Sequence, residues 1–175
     1  PLFKNSANYE SLKEKYKDDI VYGQQRGGVF YISTNIDRVN YNHTAKTSDA
    51  EKTSTKKALL NKDFRQALAF AVDRKAGISQ VFGDEVGPRK LRTSFTPTTF
   101  VQVGDQTFGQ VTKTELDKLD NVWKDVSLDD AQDSLHSVDK AKAKFEAAKK
   151  TLQAEGVQFP IHLDLPISSS NPDFI

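Results

Sequence analysis

At 175 residues the chain has about the length of one domain, and its 37% apolar residues suffice for a sizeable core. The 25 Lys and Arg nearly balance the 24 Asp and Glu, which excludes the strong basic excess of a dedicated nucleic-acid binder. There is no Cys, so disulfides, cysteine nucleophiles and thiolate metal sites are excluded, and no run of about 18 apolar residues encodes a membrane-spanning helix.

In chain order, residues 8–17 predict a short helix, with Tyr9, Leu12 and Tyr16 on one face. Residues 19–22 read as a brief strand and 24–28 as a Gly-containing turn. Val29-Phe30-Tyr31-Ile32-Ser33-Thr34 has the β-branched and aromatic content of a strand. Residues 39–55 are polar without periodicity and predict a long surface loop.

Asn61-Lys62-Asp63-Phe64-Arg65-Gln66 opens a helix, with Asp63 and Gln66 at capping-box spacing. Phe64, Ala67, Leu68, Ala71 and Val72 form its apolar face. Asp73 is placed to cap a second helix over 74–82, which Gly83 ends. Gly87-Pro88 breaks the chain, 92–103 reads as irregular, and 112–119 as a short helix around Leu116 and Leu119.

Ser137 caps a predicted helix over 138–155, with Ala141, Phe145, Ala148 and Leu152 in one stripe and Gly156 as its stop. Residues 159–165 then read as a strand, with Ile161, Leu163 and Leu165 on one face and Pro160 at its start. Strands interspersed with helices predict an α/β fold, a mixed sheet flanked by helices, with 1–175 forming a single domain.

The chain opens Pro1-Leu2-Phe3 without Met or a leader, and Ser168-Ser169-Ser170-Asn171-Pro172 at its end reads as a helix start. A piece of a longer protein is expected. His43, His136 and His162 are far apart, none with a local ligand partner at metal spacing, so no metal site or cofactor is expected. Asp129, Asp130 and Asp133 lack the Gly and terminal Glu of a calcium loop and read as a solvated face. Arg89, Lys90 and Arg92, without flanking stacking aromatics, read as surface charge, with pairing to a peptide carboxylate as the alternative. Gly27-Gly28 is followed by no Gly-Lys-Ser/Thr, and Asn42-His43-Thr44 matches the glycosylation sequon, a common chance match. With no Gly-x-Ser-x-Gly and no nucleophile–base pair, the sequence does not read as an enzyme.

One stretch is more specific. The order strand, polar gap, then Asn61-Lys62-Asp63-Phe64-Arg65-Gln66-Ala67-Leu68-Ala69-Phe70-Ala71-Val72-Asp73-Arg74 closely resembles the hallmark segment of the peptide-binding proteins of oligopeptide, dipeptide and nickel ABC importers, solute-binding protein family 5. The helix from Ala141 through Leu152 to Gly156, followed by Phe159-Pro160-Ile161, resembles that family's alanine-rich helix and strand. Tyr31-Ile32-Ser33-Thr34-Asn35-Ile36-Asp37-Arg38 and residues 156–164 are similar to streptococcal lipoproteins of the Ami/Ali type. The likeness runs from about Gly28 to Pro166; it departs at Phe64, where the family often has Val, and at Ala67-Leu68, where a second Arg is missing.

The resemblance implies much of one lobe of a type II periplasmic-binding-protein-like clamp, whose two lobes close on an extended peptide held by its main chain. It implies Tyr31, Ser33 and Asn35, then Thr96, Thr98 and Phe100, as the residues nearest the ligand. Aromatic faces and hydroxyls suit a peptide of no fixed sequence; the competing role for Tyr31 and Phe100 is ordinary packing. It further implies a lipid-anchored parent on the extracellular face of the cell membrane, working with permease and ATPase subunits, with no nucleic acid and no membrane contact beyond the anchor. The competing function is a surface interaction or peptide-signal-sensing domain, adhesin-like, that keeps the fold without transport.

Overall fold

In the computed structural model, which describes residues 7–22, 27–29, 31–129 and 131–165, small polar side chains mark the helix starts. The chain folds as two compact units, one of Pro1–Tyr31 with Asp73–His136, the other of Ile32–Val72 with Ser137–Ile175.

The second unit is built on three helices. α2 (Asp49–Leu60; α1 belongs to the first unit) begins in a reciprocal capping box, in which Ser48 Oγ accepts from the Glu51 amide and the Glu51 carboxylate accepts from the Ser48 amide. α3 (Lys62–Ala71) starts at Asn61, whose side-chain oxygen accepts from the Phe64 amide at 3.0 Å. α6 (Val138–Ala154) is capped by Ser137 and turned off at Gly156, where φ is +76°, a conformation Gly adopts at no steric cost. The core is Ala58, Phe64, Ala148, Leu152 and Val157, with Leu59, Leu68, Phe159 and Ile161 packed on it. Phe145 joins this cluster, its ring 6.4 Å from Phe64 and 6.2 Å from Phe159. Phe70 is fully buried on the same helix as Phe64.

Four expectations change here. Residues 39–55 are not all loop, because α2 starts at Asp49; Ser48 and Glu51 carry the signal. The cap of α3 is Asn61 rather than an Asp63–Gln66 box; Asp63 instead pairs with Lys144 at 2.7 Å. Residues 159–165 form no ladder; the segment is held on α2 by side chains, Ser54 Oγ accepting from the Gln158 amide and Thr55 Oγ1 donating to the His162 carbonyl. Ala71 and Val72 are exposed, so the buried face of α3 runs through Phe64, Gln66, Ala67 and Phe70.

In the first unit, α1 (Tyr9–Lys15) is a short helix within the predicted 8–17, with Tyr16 as its exposed C-terminal cap. Asp73 caps α4 (Arg74–Val86), accepting from the Ala76 amide at 2.8 Å, and the regular helix breaks at Gly83 with φ +79°. A 3-10 turn over Pro88–Lys90 follows. β1 (Gln102–Val103) and β2 (Gln106–Thr107) pair antiparallel around Gly104, the only sheet among the described residues. α5 (Phe108–Leu119) starts four residues before its predicted position because Thr107 and Gln110 form a capping box. Leu91, Pro97, Val126 and Leu128 are buried in this unit.

Residues 19–22 form no strand; the Asp19 amide closes a turn onto the Tyr16 carbonyl, and the Tyr22 hydroxyl donates to Glu85. Val29 and residues 31–34 form no ladder either, while Phe30, most of the 24–28 turn and the predicted helix start after Ser168 lie outside the described residues. The acidic cluster is not uniformly solvated, since Asp133 is buried against Arg74. Asp130 lies outside the described residues. Arg89 stacks over the Tyr22 ring at 4.2 Å and Lys90 over Phe82 at 4.6 Å, so aromatics do flank the basic patch.

Candidate functional site

The resemblance-derived site residues divide between the units: Tyr31, Thr96, Thr98 and Phe100 belong to the first, Ser33 and Asn35 to the second.

In the first unit the loop ahead of the hairpin is anchored at its middle. Pro97 is fully buried, and its carbonyl accepts from the Phe100 amide at 3.1 Å. Thr98 is 6% exposed; its carbonyl accepts from the Gly109 amide, and its side chain lies so close to Gly109 that a Cβ there would stand 2.5 Å from the Thr98 Cβ. The Thr98 side chain therefore packs the loop onto the start of α5. Thr96 is half-buried and its carbonyl accepts from the Ser94 hydroxyl at 2.6 Å. From this anchored stem the rings project. Phe100 is 58% exposed, and a Cβ added at Gly27 would meet its ring edge at 3.6 Å. Tyr31 and Phe95 are each 67% exposed and meet edge to face, their centroids 5.0 Å apart. Phe95 was not among the residues the sequence singled out; its signal is an aromatic set in a hydroxyl-rich, Pro-bounded loop. The two rings held together in solvent present an apolar surface on this unit.

In the second unit Ser33 and Asn35 are exposed, and the Asn35 side-chain oxygen accepts from the Asp37 amide in a local turn. The strongest electrostatic feature lies nearby in sequence. Asp164 Oδ2 accepts from Lys46 at 2.8 Å, from Thr44 at 2.7 Å and from Arg38. Lys46 and Thr44, then Arg38, hold the Asp164 carboxyl far below the usual carboxylate range, overcoming the opposite effect of burial. The Arg38 guanidinium also donates to the Asn40 and His43 carbonyls and stacks 4.4 Å over Tyr41. With its groups engaged among themselves, this cluster fastens residues 38–46 to residue 164.

Among the described residues no three His, Asp or Glu side chains stand together so as to hold a metal ion, and no helix is long and apolar enough to cross a membrane. His162 is exposed, with Nδ1 3.5 Å from Glu51, and His136 stands 3.7 Å from Asp73.

The model of the bacterial extracellular solute-binding proteins, family 5 (middle) matches residues 3–173. The chain belongs to this family. Among curated relatives, this family 5 chain is 52% identical over 169 residues to the oligopeptide-binding protein SarA of Streptococcus gordonii and 52% identical over 169 residues to the oligopeptide-binding protein AliA of Streptococcus pneumoniae, covering 97% of the chain and 26% of the relative in each case. It is 48% identical over 174 residues to AmiA of Streptococcus pneumoniae, also named an oligopeptide-binding protein, covering 99% of the chain and 26% of that relative. The family 5 chain thus spans about a quarter of the length of these curated relatives.

Proposed function

We propose that the chain is part of the peptide-capturing component of an oligopeptide ABC importer, and that it binds without catalysing covalent chemistry. The observation that carries this reading is the match over 97% of the chain, at 52% identity, to relatives named oligopeptide-binding proteins. In this reading the chain forms part of one lobe of a two-lobed, type II periplasmic-binding-protein-like clamp. Segments 29–34 and 159–165 then join a mixed sheet whose other strands come from the remainder of the longer protein. Such segments have the β-propensity for a ladder but need partners for their amides and carbonyls.

The ligand is a short extracellular peptide held by its main chain. On the first unit Tyr31 and Phe100, with Phe95 beside Tyr31, offer apolar faces to peptide side chains, Thr96 offers a polar group, and Thr98 shapes the loop that presents them; on the second unit Ser33 and Asn35 each offer a polar group. A preference for apolar side chains without a fixed sequence follows from such a surface. The protein sits on the extracellular face of the cell membrane through a lipid on the longer protein and delivers peptide to permease and ATPase subunits.

The test is an amide NMR titration of the chain with a pool of short random peptides, paired with calorimetry of the full-length protein and the same pool. Heat of binding in the full-length protein, and amide shifts clustered at residues 31–35 and 96–100, are the expected results. A full-length protein that takes up no peptide refutes the function. Shifts confined elsewhere refute the site.

A further inference from the structure

Arg74, in the first turn of α4, connects a buried carboxylate to the backbone of the aromatic loop. Its Nε and Nη2 donate to Asp133 Oδ1 at 3.0 and 2.6 Å. Its Nη1 donates to the Arg92 carbonyl at 2.9 Å, and Nη2 also reaches the Thr93 hydroxyl at 3.4 Å. The Asp133 side chain is 5% exposed, and its second oxygen accepts from the Lys75 amide at 3.1 Å. Burial pushes the Asp133 carboxyl upward, but the hydrogen bonds and charge of Arg74 outweigh it, and the group titrates below its ordinary range. Two residues before Asp133, the Ala131 amide donates to the Leu91 carbonyl at 2.9 Å.

The chain of bonds continues. Arg92 Nη2 donates to the Gly28 carbonyl at 2.9 Å. Gly28 and Arg92 each lie three positions before one member of the exposed ring pair, Tyr31 and Phe95. The two stems that carry these rings are thus tied to each other and, through Arg74, to Asp133. A guanidinium suits this task because its donors are fixed in one plane and hold the carboxylate and the carbonyl in a set geometry, whereas the donors of an ammonium rotate freely about its stem. Rings that are two-thirds exposed do not hold themselves in place by burial. Holding them from below removes the ordering cost that a ligand would otherwise meet.

We propose that Arg74, anchored by Asp133, is a positioning residue that presets the Tyr31–Phe95 pair to receive an apolar side chain of a bound peptide. The inference rests on the peptide-binding reading above. It is tested in the full-length protein by calorimetry with two pentapeptide pools, randomised except for a central Phe in one and a central Ala in the other. The unaltered protein favours the Phe pool, and Tyr31→Ala reduces that preference. Arg74→Lys keeps a cation opposite Asp133 but loses the fork, and lowers the Phe-to-Ala affinity ratio by about threefold or more while the Ala pool binds as before. A role confined to stability weakens both pools alike. Asp133→Asn carries the same expectation and serves if Arg74→Lys does not fold. An unchanged ratio in both variants, alongside a lost preference in Tyr31→Ala, overturns the positioning role and leaves peptide binding standing. No preference for Phe in the unaltered protein overturns the aromatic subsite, and no binding of either pool overturns the peptide-binding reading with it.

Discussion

Asp164→Asn strands a buried ammonium in the second unit. One carboxylate oxygen serves Lys46, Thr44 and Arg38, and the Lys46 side chain is wholly buried. A unit-charge pair at this separation attracts by about 6 kcal/mol at an effective dielectric constant near 20. Desolvation of the ammonium offsets much of that gain, so the pair contributes little beyond a well-packed apolar replacement. Removing the anion alone is different, because Lys46 stays buried without its counter-charge. A loss of about 3–5 kcal/mol follows. Lys46→Met removes the buried cation together with its desolvation cost, while Asp164 keeps Arg38 and Thr44, so it costs about 1 kcal/mol. In the double variant the stranded charge is gone, and the total loss falls short of the sum of the single losses by at least about 1 kcal/mol. Urea unfolding followed by far-ultraviolet circular dichroism of all four proteins closes the cycle. Losses that add to within about 0.5 kcal/mol refute the argument that a buried Lys46 depends on Asp164.

Leu152→Ala empties the centre of the core among Ala58, Phe64, Ala148 and Val157 and costs about 2–5 kcal/mol, read from the same unfolding curves. The Thr47 amide, then the Ser48 amide, hold the Glu51 carboxyl at about 2 against an ordinary 4.5. Because the folded value is the lower one, the contribution of Glu51 is complete above the ordinary value and is lost as the pH falls towards 2. Amide exchange in the first turn of α2 is expected to accelerate over that window, and Glu51→Gln to remove the acid dependence. Gly109→Ala drives a methyl against Thr98, with loss of about 1–3 kcal/mol of stability and a displaced loop, seen as amide shifts at residues 96–100.

The sequence made α6 legible because its signals are local and agree: a Ser cap, an apolar stripe, and a Gly where φ turns positive. α4 was legible through its Asp73 cap, and α3 through its apolar spacing, although its cap is Asn61 and not the Asp63–Gln66 box that the spacing suggests. α2 was not, because two of the three side chains it buries are Ser54 and Thr55, which a hydrophobic pattern does not count, and Ala58 alone makes no stripe. The segments around Tyr31 and Ile161 have strand composition, but a ladder is a non-local property and depends on a partner that a run of residues cannot specify. Of the candidate site, Tyr31 and Phe100 come from the resemblance and are exposed, whereas the contact of Phe95 with Tyr31 and the Arg74–Asp133 pair join positions 64 and 59 apart in sequence, pairings that no local pattern encodes.

Asn61 closes one helix and opens the next. Its amide donates to the Lys57 and Ala58 carbonyls at the end of α2, and its side chain accepts from Phe64 at the start of α3. There is no slack between the two helices. Adding or deleting one residue at this point would turn α3 by about 100° about its own axis and carry Phe64 away from Ala148 and Leu152. The junction is a register lock: its length sets the phase of α3 against α2 and thereby which side chains reach the core.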